Sequence, residues 1–188
     1  MSRPWIQTHL GKKIDLLEPD LEQIDIRDIA FHLSHINRYT GAAGDYNVAD
    51  HSVRVARAAS RGWLDIDAAK AGLLHDATEA YLGDMSSPLK RLLPEYQALE
   101  RRWMEIIGRR FDVCLTPLPD AVKRADIAMC ATEARDLMVF PPEPWGLTEL
   151  SLPEKVVPWR PSKAESVFLG WYSLLWKVVP PDPSPKWS

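Results

Sequence analysis

Cysteine is nearly absent from this chain of 188 residues: Cys114 and Cys130 stand sixteen positions apart, with no CxxC spacing. That excludes a disulfide framework and a thiolate zinc site, and it makes a reducing compartment the default. Basic charge is not in excess either, since 23 Lys and Arg face 26 Asp and Glu for a formal net charge of −3. With no positive field to hold a polyanion by electrostatics alone, a nucleic acid polymer is not an expected partner. Long apolar runs are missing as well. The longest uncharged stretch, between Glu165 and Lys177, has eleven residues, too few to cross a bilayer, and segment 1–13 lacks the apolar centre of a signal peptide. The expectation is a cytoplasmic protein without a membrane partner. Histidine is confined to positions 9, 32, 35, 51 and 75, which excludes a polyhistidine metal centre. What is present, 46% hydrophobic residues and nine glycines, describes one ordinary domain with enough chain for a real core.

Periodicity reads as helix nearly throughout, so the predicted fold is all-α, a single helical bundle with a small N-terminal β-hairpin over 5–17 around Gly11. A first helix is predicted over Ile26–Ile36, capped by Asp25 and buried through Ile26, Ile29, Ala30 and Leu33. Asn47 caps a second, carrying Val48, His51, Val55 and Ala58 toward Gly62. A third starts at Asp65 or Asp67, runs on through AAKAGLLHDATEAYL and stops at Gly83. SSPLKRLL gives a short helical turn, Pro94 opens a long helix to Phe111, and Pro119 opens another to Met138. Segment 139–161 holds six of the sixteen prolines and reads as an irregular crossing, followed by a last helix over 162–179 and a frayed tail. Trp103, Trp171 and Trp176 fall on apolar helical stripes and read as core. The four arginines of LERRWMEIIGRR read as a solvated or oligomer-facing side, and Trp5 and Trp187 hint at docking on a neighbouring subunit.

The chemistry-bearing residues are unevenly spread. His75-Asp76 sits in the apolar segment GLLHDATEAYL, where a bare carboxylate beside an imidazole is costly to bury without a partner. A metal ion is one such partner. His51 lies on the preceding helix and Asp126 in the mostly apolar RADIAMCATEA, so two imidazoles and two carboxylates can converge. A lone helical histidine is more often structural than a ligand, and His32 and His35, with no carboxylate motif, are read as structural. The order of the others, with Glu79 one turn after His75, favours ligation.

That order, His51, then His75-Asp76, then Asp126, resembles the HD-domain metal-dependent phosphohydrolases, an all-α family. LLHDATEAYLGDMSSPLK is similar to the HDxxE…GDxxxPxK block of the branch containing bacterial 5′-deoxyribonucleotidases and phage deoxyadenosine triphosphate triphosphohydrolases. HLSHINRYTG followed by YNVADHSVRVA resembles the same branch, whose first helix ends in an Arg followed by an aromatic, here Arg38 and Tyr39 where the branch commonly has Arg-Trp. The match covers 26–138. It implies a metal held by His51, His75, Asp76 and Asp126, roles for Glu79, Asp84 and Lys90, and a homodimer or higher homo-oligomer.

The residue chemistry is compatible. Imidazole with carboxylate suits one divalent Mn, Co, Fe or Zn ion better than calcium, and Mg less well. Such an ion lowers the pKa of bound water from about 15.7 toward roughly 7 in favourable cases. Glu79 at i+4 from His75 is assigned general acid/base duty, and Asp84 a bond to the leaving sugar hydroxyl or support of the acid. Arg38, Tyr39 and Lys90 are the candidates for substrate and phosphate binding, and Glu133, at i+7 from Asp126, stands behind the ligands. The expected activity is hydrolysis of a small-molecule nucleotide, foremost release of phosphate from deoxynucleoside monophosphates. Release of triphosphate from deoxynucleoside triphosphates is the alternative, and a non-catalytic nucleotide-sensing module, marked by dispensability of Glu79, is a further one. Guanosine tetraphosphate hydrolysis with one metal is less favoured.

Overall fold

The structure is a computed structural model and describes residues 3–141 and 143–177. It is an all-α bundle with one small N-terminal hairpin. The hairpin pairs β1 (Trp5–Gln7) with β2 (Lys13–Asp15), antiparallel in the register Trp5 to Asp15 and Gln7 to Lys13. Gly11 turns it at φ +77°, a backbone state that costs glycine nothing. Asp28, buried on the first helix, accepts from the Leu10 amide at 2.8 Å and so ties the hairpin to the bundle.

The helices follow in order as α1 (Ile26–His35), α2 (Val48–Ala59), α3 (Ile66–Leu74), α4 (Glu79–Leu82), α5 (Ser87–Lys90), α6 (Pro94–Phe111), α7 (Asp120–Leu137) and α8 (Pro161–Lys177). Local chemistry starts them where expected. Asp25, Asn47 and Asp65 each cap their helix by accepting a first-turn amide, and Pro94 and Pro119 stand at the starts of α6 and α7. α2 is the central helix, buried on most of its circumference and packed by α1, α3, α7 and α8. It ends at Ala59, with Ser60 as its cap, short of the expected Gly62.

The expected continuous third helix is corrected. α3 stops at Leu74, residues 75–78 form turns, and α4 resumes at Glu79. At the break the His75 ring Nδ1–H donates to the Gly72 carbonyl at 2.8 Å. Tighter i to i−3 amide bonds, such as Ala77 to Leu74 and Glu79 to Asp76 at 3.0 Å each, replace the α-helical ladder. Gly83 ends α4 at φ +79°, ψ 156°.

Trp103 is fully buried, stacks on Tyr81 with ring centres 4.6 Å apart, and donates from Nε1 to the Leu16 carbonyl at 3.0 Å. Trp171 and Trp176 pack on the core from its edge, Trp176 donating to the Phe111 carbonyl at 2.8 Å. Arg101, Arg102, Arg109 and Arg110 are exposed. Trp5 is 49% exposed with the Lys13 ammonium 5.2 Å from its ring centre. Trp187, the tail and the last two residues of the expected final helix lie outside the described residues.

The proline-rich crossing has no ladder of its own, because proline lacks an amide hydrogen. Side chains of two helices bind its backbone instead. From α7, Thr132 accepts the Leu152 amide at 2.8 Å, Asp136 accepts the Val156 amide at 2.7 Å, and Arg135 donates to the Leu152 and Glu154 carbonyls at 2.7 and 3.0 Å. From the α2 end, Asp50 accepts the Trp159 amide at 2.8 Å, Arg54 donates to the Val157 carbonyl and Asn47 to the Trp159 carbonyl, each at 3.0 Å.

Candidate metal centre

Two small residues set the geometry of the site. A Cβ built on Gly72 of α3 would lie 2.9 Å from the Ala56 Cα of α2, so only glycine permits this helix contact. One turn beyond Gly72, the close approach brings His75 to His51, Nε2 to Nε2, at 3.3 Å.

The other ring nitrogens fix the tautomers. A carbonyl only accepts, so His75 Nδ1 carries the hydrogen bonded to Gly72. His51 Nδ1 lies 2.6 Å from Glu133 Oε1. Burial disfavours the Glu133 charge, but the His51 and Arg38 charges outweigh it and hold this carboxyl down to about 2, so it accepts and His51 Nδ1 donates. In the neutral imidazoles both Nε2 lone pairs therefore face each other, and two acceptors at 3.3 Å need a cation or a proton between them.

Two carboxylates close the cluster. Asp126 Oδ1 is 3.1 Å from His51 Nε2 and 3.8 Å from His75 Nε2. Asp76 Oδ2 is 3.3 Å from His75 Nε2 and 3.7 Å from His51 Nε2. Burial opposes the charge on Asp126, yet the His51 and His75 rings beside it hold it well below the usual carboxylate range. His51 is itself pushed up to about 9: burial and Arg38 oppose its protonation, and Glu133 and Asp126 overcome them. A group of His51, His75 and Asp126 offers one ligand atom each, all within 4.8 Å of one another, and could hold a metal ion. Nitrogen and oxygen ligands at about 2.0–2.2 Å from one ion stand roughly 3–3.5 Å apart, close to these separations.

Behind the ligands, Glu133 is fully buried and saturated. Oε1 accepts from His51 and from Tyr46 Oη at 2.8 Å. Oε2 accepts from the Tyr39 hydroxyl and from Arg38 Nε at 3.3 Å. The sequence placed Glu133 here by its two-turn spacing from Asp126, whereas Tyr46 carried no local signal. Tyr39 and Thr40 hold left-handed φ values of 56° and 55°, a strained turn that aims Tyr39 back at Glu133. Its ring centre lies 5.6 Å from that of Trp145.

Arg38 and Lys90, the candidates for phosphate binding, are each paired with carboxylates. Arg38 is buried and also donates from Nη1 to Asp76 Oδ2 at 3.3 Å. Lys90 donates to Glu100 at 2.6 Å. Lys90 lines a cavity of about 480 Å³ with His75, Asp76 and Asp126, and Arg38 reaches the site through Asp76. Cys130 lies against the cluster, 3.8 Å from Asp126 Oδ1, with its thiol pushed up to about 12, first by burial and then by Asp126.

Glu79 is 6% exposed and its Oε2 is buried without a hydrogen-bond partner. Burial first, then the Asp76 and Asp84 charges, push its carboxyl well above the usual carboxylate range. Asp84 is partly buried and raised mainly by burial. His32 is structural: Nδ1 bonds the Ala80 carbonyl at 2.6 Å and Nε2 accepts the His9 amide at 3.0 Å. His35 bonds the Phe31 carbonyl at 2.7 Å on the same helix. Among the described residues no helix is long and apolar enough to cross a membrane.

Two curated bacterial proteins are similar to the chain over most of their lengths. The uncharacterized protein YfdR of Escherichia coli is 35% identical over 173 residues, covering 88% of this chain and 92% of the relative. The uncharacterized protein RCAP_rcc00048 of Rhodobacter capsulatus is 36% identical over 149 residues, covering 74% and 76%. No family model matches.

Proposed function

We propose that this chain, which belongs to the same family as YfdR, is a metal-dependent phosphohydrolase of nucleotides with an HD-type site. The observation that carries the reading is the meeting of His51 Nε2, His75 Nε2 and Asp126 Oδ1 at the end of a cavity that also holds cations, with Asp76 beside them. His51, His75 and Asp126 would hold one divalent ion, with Asp76 as the fourth ligand; Mn, Co, Fe or Zn suits this mixed donor set. Such an ion supplies Lewis-acid polarisation of a phosphoryl group and acidifies water at the site.

The remaining work falls to the chain's own side chains. Glu133 holds His51 in the tautomer whose Nε2 lone pair faces inward. Glu79, whose buried Oε2 has no hydrogen-bond partner and whose burial favours the neutral carboxyl, would give a proton to a departing oxygen. Arg38 lies within reach of the same centre and balances Asp76 and Glu133 while a phosphate approaches. Asp84 accepts from a sugar hydroxyl, and Tyr39 beside Trp145 offers an aromatic wall to a base. The protein acts within the cytoplasm.

A product assay tests this. Metal-stripped protein is offered deoxy- and ribonucleoside mono- and triphosphates with added Mn, Co, Zn or Mg, and products are separated by chromatography. Phosphate from monophosphates, or intact triphosphate plus nucleoside, is the expected result. Absence of turnover with every metal overturns it and leaves a nucleotide-sensing module.

A further inference from the structure

The cavity that opens on His75, Asp76 and Asp126 is built on its other side from α5 and the start of α6. That wall is firmly held. Gln97 Nε2 donates to the Lys90 carbonyl at 2.7 Å, the Tyr96 hydroxyl to the Gly83 carbonyl at 3.2 Å, and the Lys90 amide to the Ser86 carbonyl at 2.9 Å. It presents three cations, Lys90, Arg91 and Arg101, against one carboxylate, Glu100. Glu100 is taken by Lys90 at 2.6 Å. Among the described residues, Arg91 and Arg101 make neither an ion pair nor a side-chain hydrogen bond, although both line the cavity.

The volume, about 480 Å³, falls in the range of clefts that take a whole small ligand. The elements lining this cleft differ in charge. On the turn after α3 and on α7, the carboxylates of Asp76 and Asp126 would be offset by an ion. Beside α5 and on α6, two guanidiniums stay uncompensated, with forks suited to phosphate oxygens. A ligand with a single phosphate beside Asp76 and Asp126 leaves these guanidiniums unsatisfied. A ligand whose phosphates continue along the cleft engages both.

We propose that Arg91 and Arg101 form a second anion subsite that binds a further phosphate of a polyphosphorylated nucleotide, whose reacting phosphate lies against His75, Asp76 and Asp126. This deepens the phosphohydrolase reading and rests on it for the reacting phosphate, but the subsite has a binding signature of its own. It also selects between the two activities expected from sequence, in favour of triphosphates.

The test compares the wild type with an R91Q/R101Q double variant. Both side chains are exposed, so the fold is not at stake. Calorimetry on metal-stripped protein, which keeps a chelating ligand from competing for the ion, uses inorganic tripolyphosphate and orthophosphate as probes. Tripolyphosphate is expected to bind the wild type at least tenfold tighter than orthophosphate, and the double variant to lose about tenfold toward tripolyphosphate only. Metal-loaded protein gives a second reading: KM for a deoxynucleoside triphosphate rises in the variant, while KM for the monophosphate stays fixed. Equal binding of the two probes by the wild type, an unaltered double variant, or tighter binding of a deoxyoligonucleotide than of tripolyphosphate would overturn the subsite. If tripolyphosphate binding follows the arginines while no nucleotide turns over, the subsite stands and the hydrolase reading falls.

Discussion

His51 Nδ1 donates to Glu133 Oε1 at 2.6 Å where α2 packs on α7, 82 residues apart in the chain and both fully buried. This bond decides which nitrogen of His51 faces the cluster. Glu133→Gln keeps the shape and removes the charge, so the site is expected to bind Mn or Zn about 10- to 100-fold more weakly, with helicity retained. Competition against a chromophoric chelator measures it; an unchanged affinity would show that the bond does not orient the ligand.

Protons and metal compete at the same atom. In the metal-free protein His51 titrates near 9, above its ordinary 6.5, so its contribution to stability is complete below pH 6.5 and fades as pH rises through 9. Metal ligation requires the neutral ring. Between these pH values metal binding therefore releases a proton from His51 and tightens with pH, levelling off above 9. Calorimetric titrations in two buffers of different ionisation enthalpy count that proton, and zero net release at pH 7.5 would contradict the assignment.

Glu79→Gln is expected to leave metal content unchanged and to slow nucleotide hydrolysis by about 10²- to 10⁴-fold. An amide fills the same buried space without a proton to give. Elemental analysis beside the product assay separates the two effects, and loss of metal in this variant would move Glu79 from acid to ligand.

Gly72→Ala places a Cβ 2.9 Å from the Ala56 Cα. Backbone cannot yield as a flexible side chain does, so α3 must move away from α2. The expected cost is about 1–3 kcal/mol of stability together with weaker metal binding, since His75 travels with α3. Urea unfolding and a metal titration on the same variant check both, and a loss of stability with full affinity would uncouple the helix contact from the ligands.

Trp103→Phe removes the indole hydrogen bond to the Leu16 carbonyl and leaves that buried acceptor and part of the ring's volume unfilled. A cost of about 1–3 kcal/mol is expected in urea unfolding, with metal affinity untouched, because Trp103 contributes nothing to the cluster.

Local signals in the sequence were enough for most of the bundle. Asn47 and Asp25 start helices by side-chain caps, Gly11 turns a hairpin, and Pro94 and Pro119 open α6 and α7, each through chemistry contained within a few residues. The break after Leu74 was not legible, because the His75 ring, rather than a main-chain amide, satisfies the Gly72 carbonyl. Of the candidate site, His51, His75, Asp76 and Asp126 were readable as types in a suitable order, and the structure brings their atoms together. The environment of Arg38 was not readable: it depends on Glu133, 95 residues away. Tyr46 takes its position from the meeting of distant elements, and nothing in its own neighbourhood marks it; Arg101, legible only as one of four arginines on a solvated or oligomer-facing side, lines the cavity with Arg91.

The proline-rich crossing is fastened by bonds whose two ends belong to different kinds of atom. On α2 and α7 the fasteners are side chains, Asn47, Asp50 and Arg54 on one and Thr132, Arg135 and Asp136 on the other; on the crossing they are mostly main-chain groups, which every residue supplies in some form. The grip makes little demand on its side chains, apart from those that turn inward such as Val156 and Trp159, and rests on five helix residues and one helix cap. The two helices so braced are those that carry His51 and Asp126, so a segment that supplies no ligand atom ties together two helices that do.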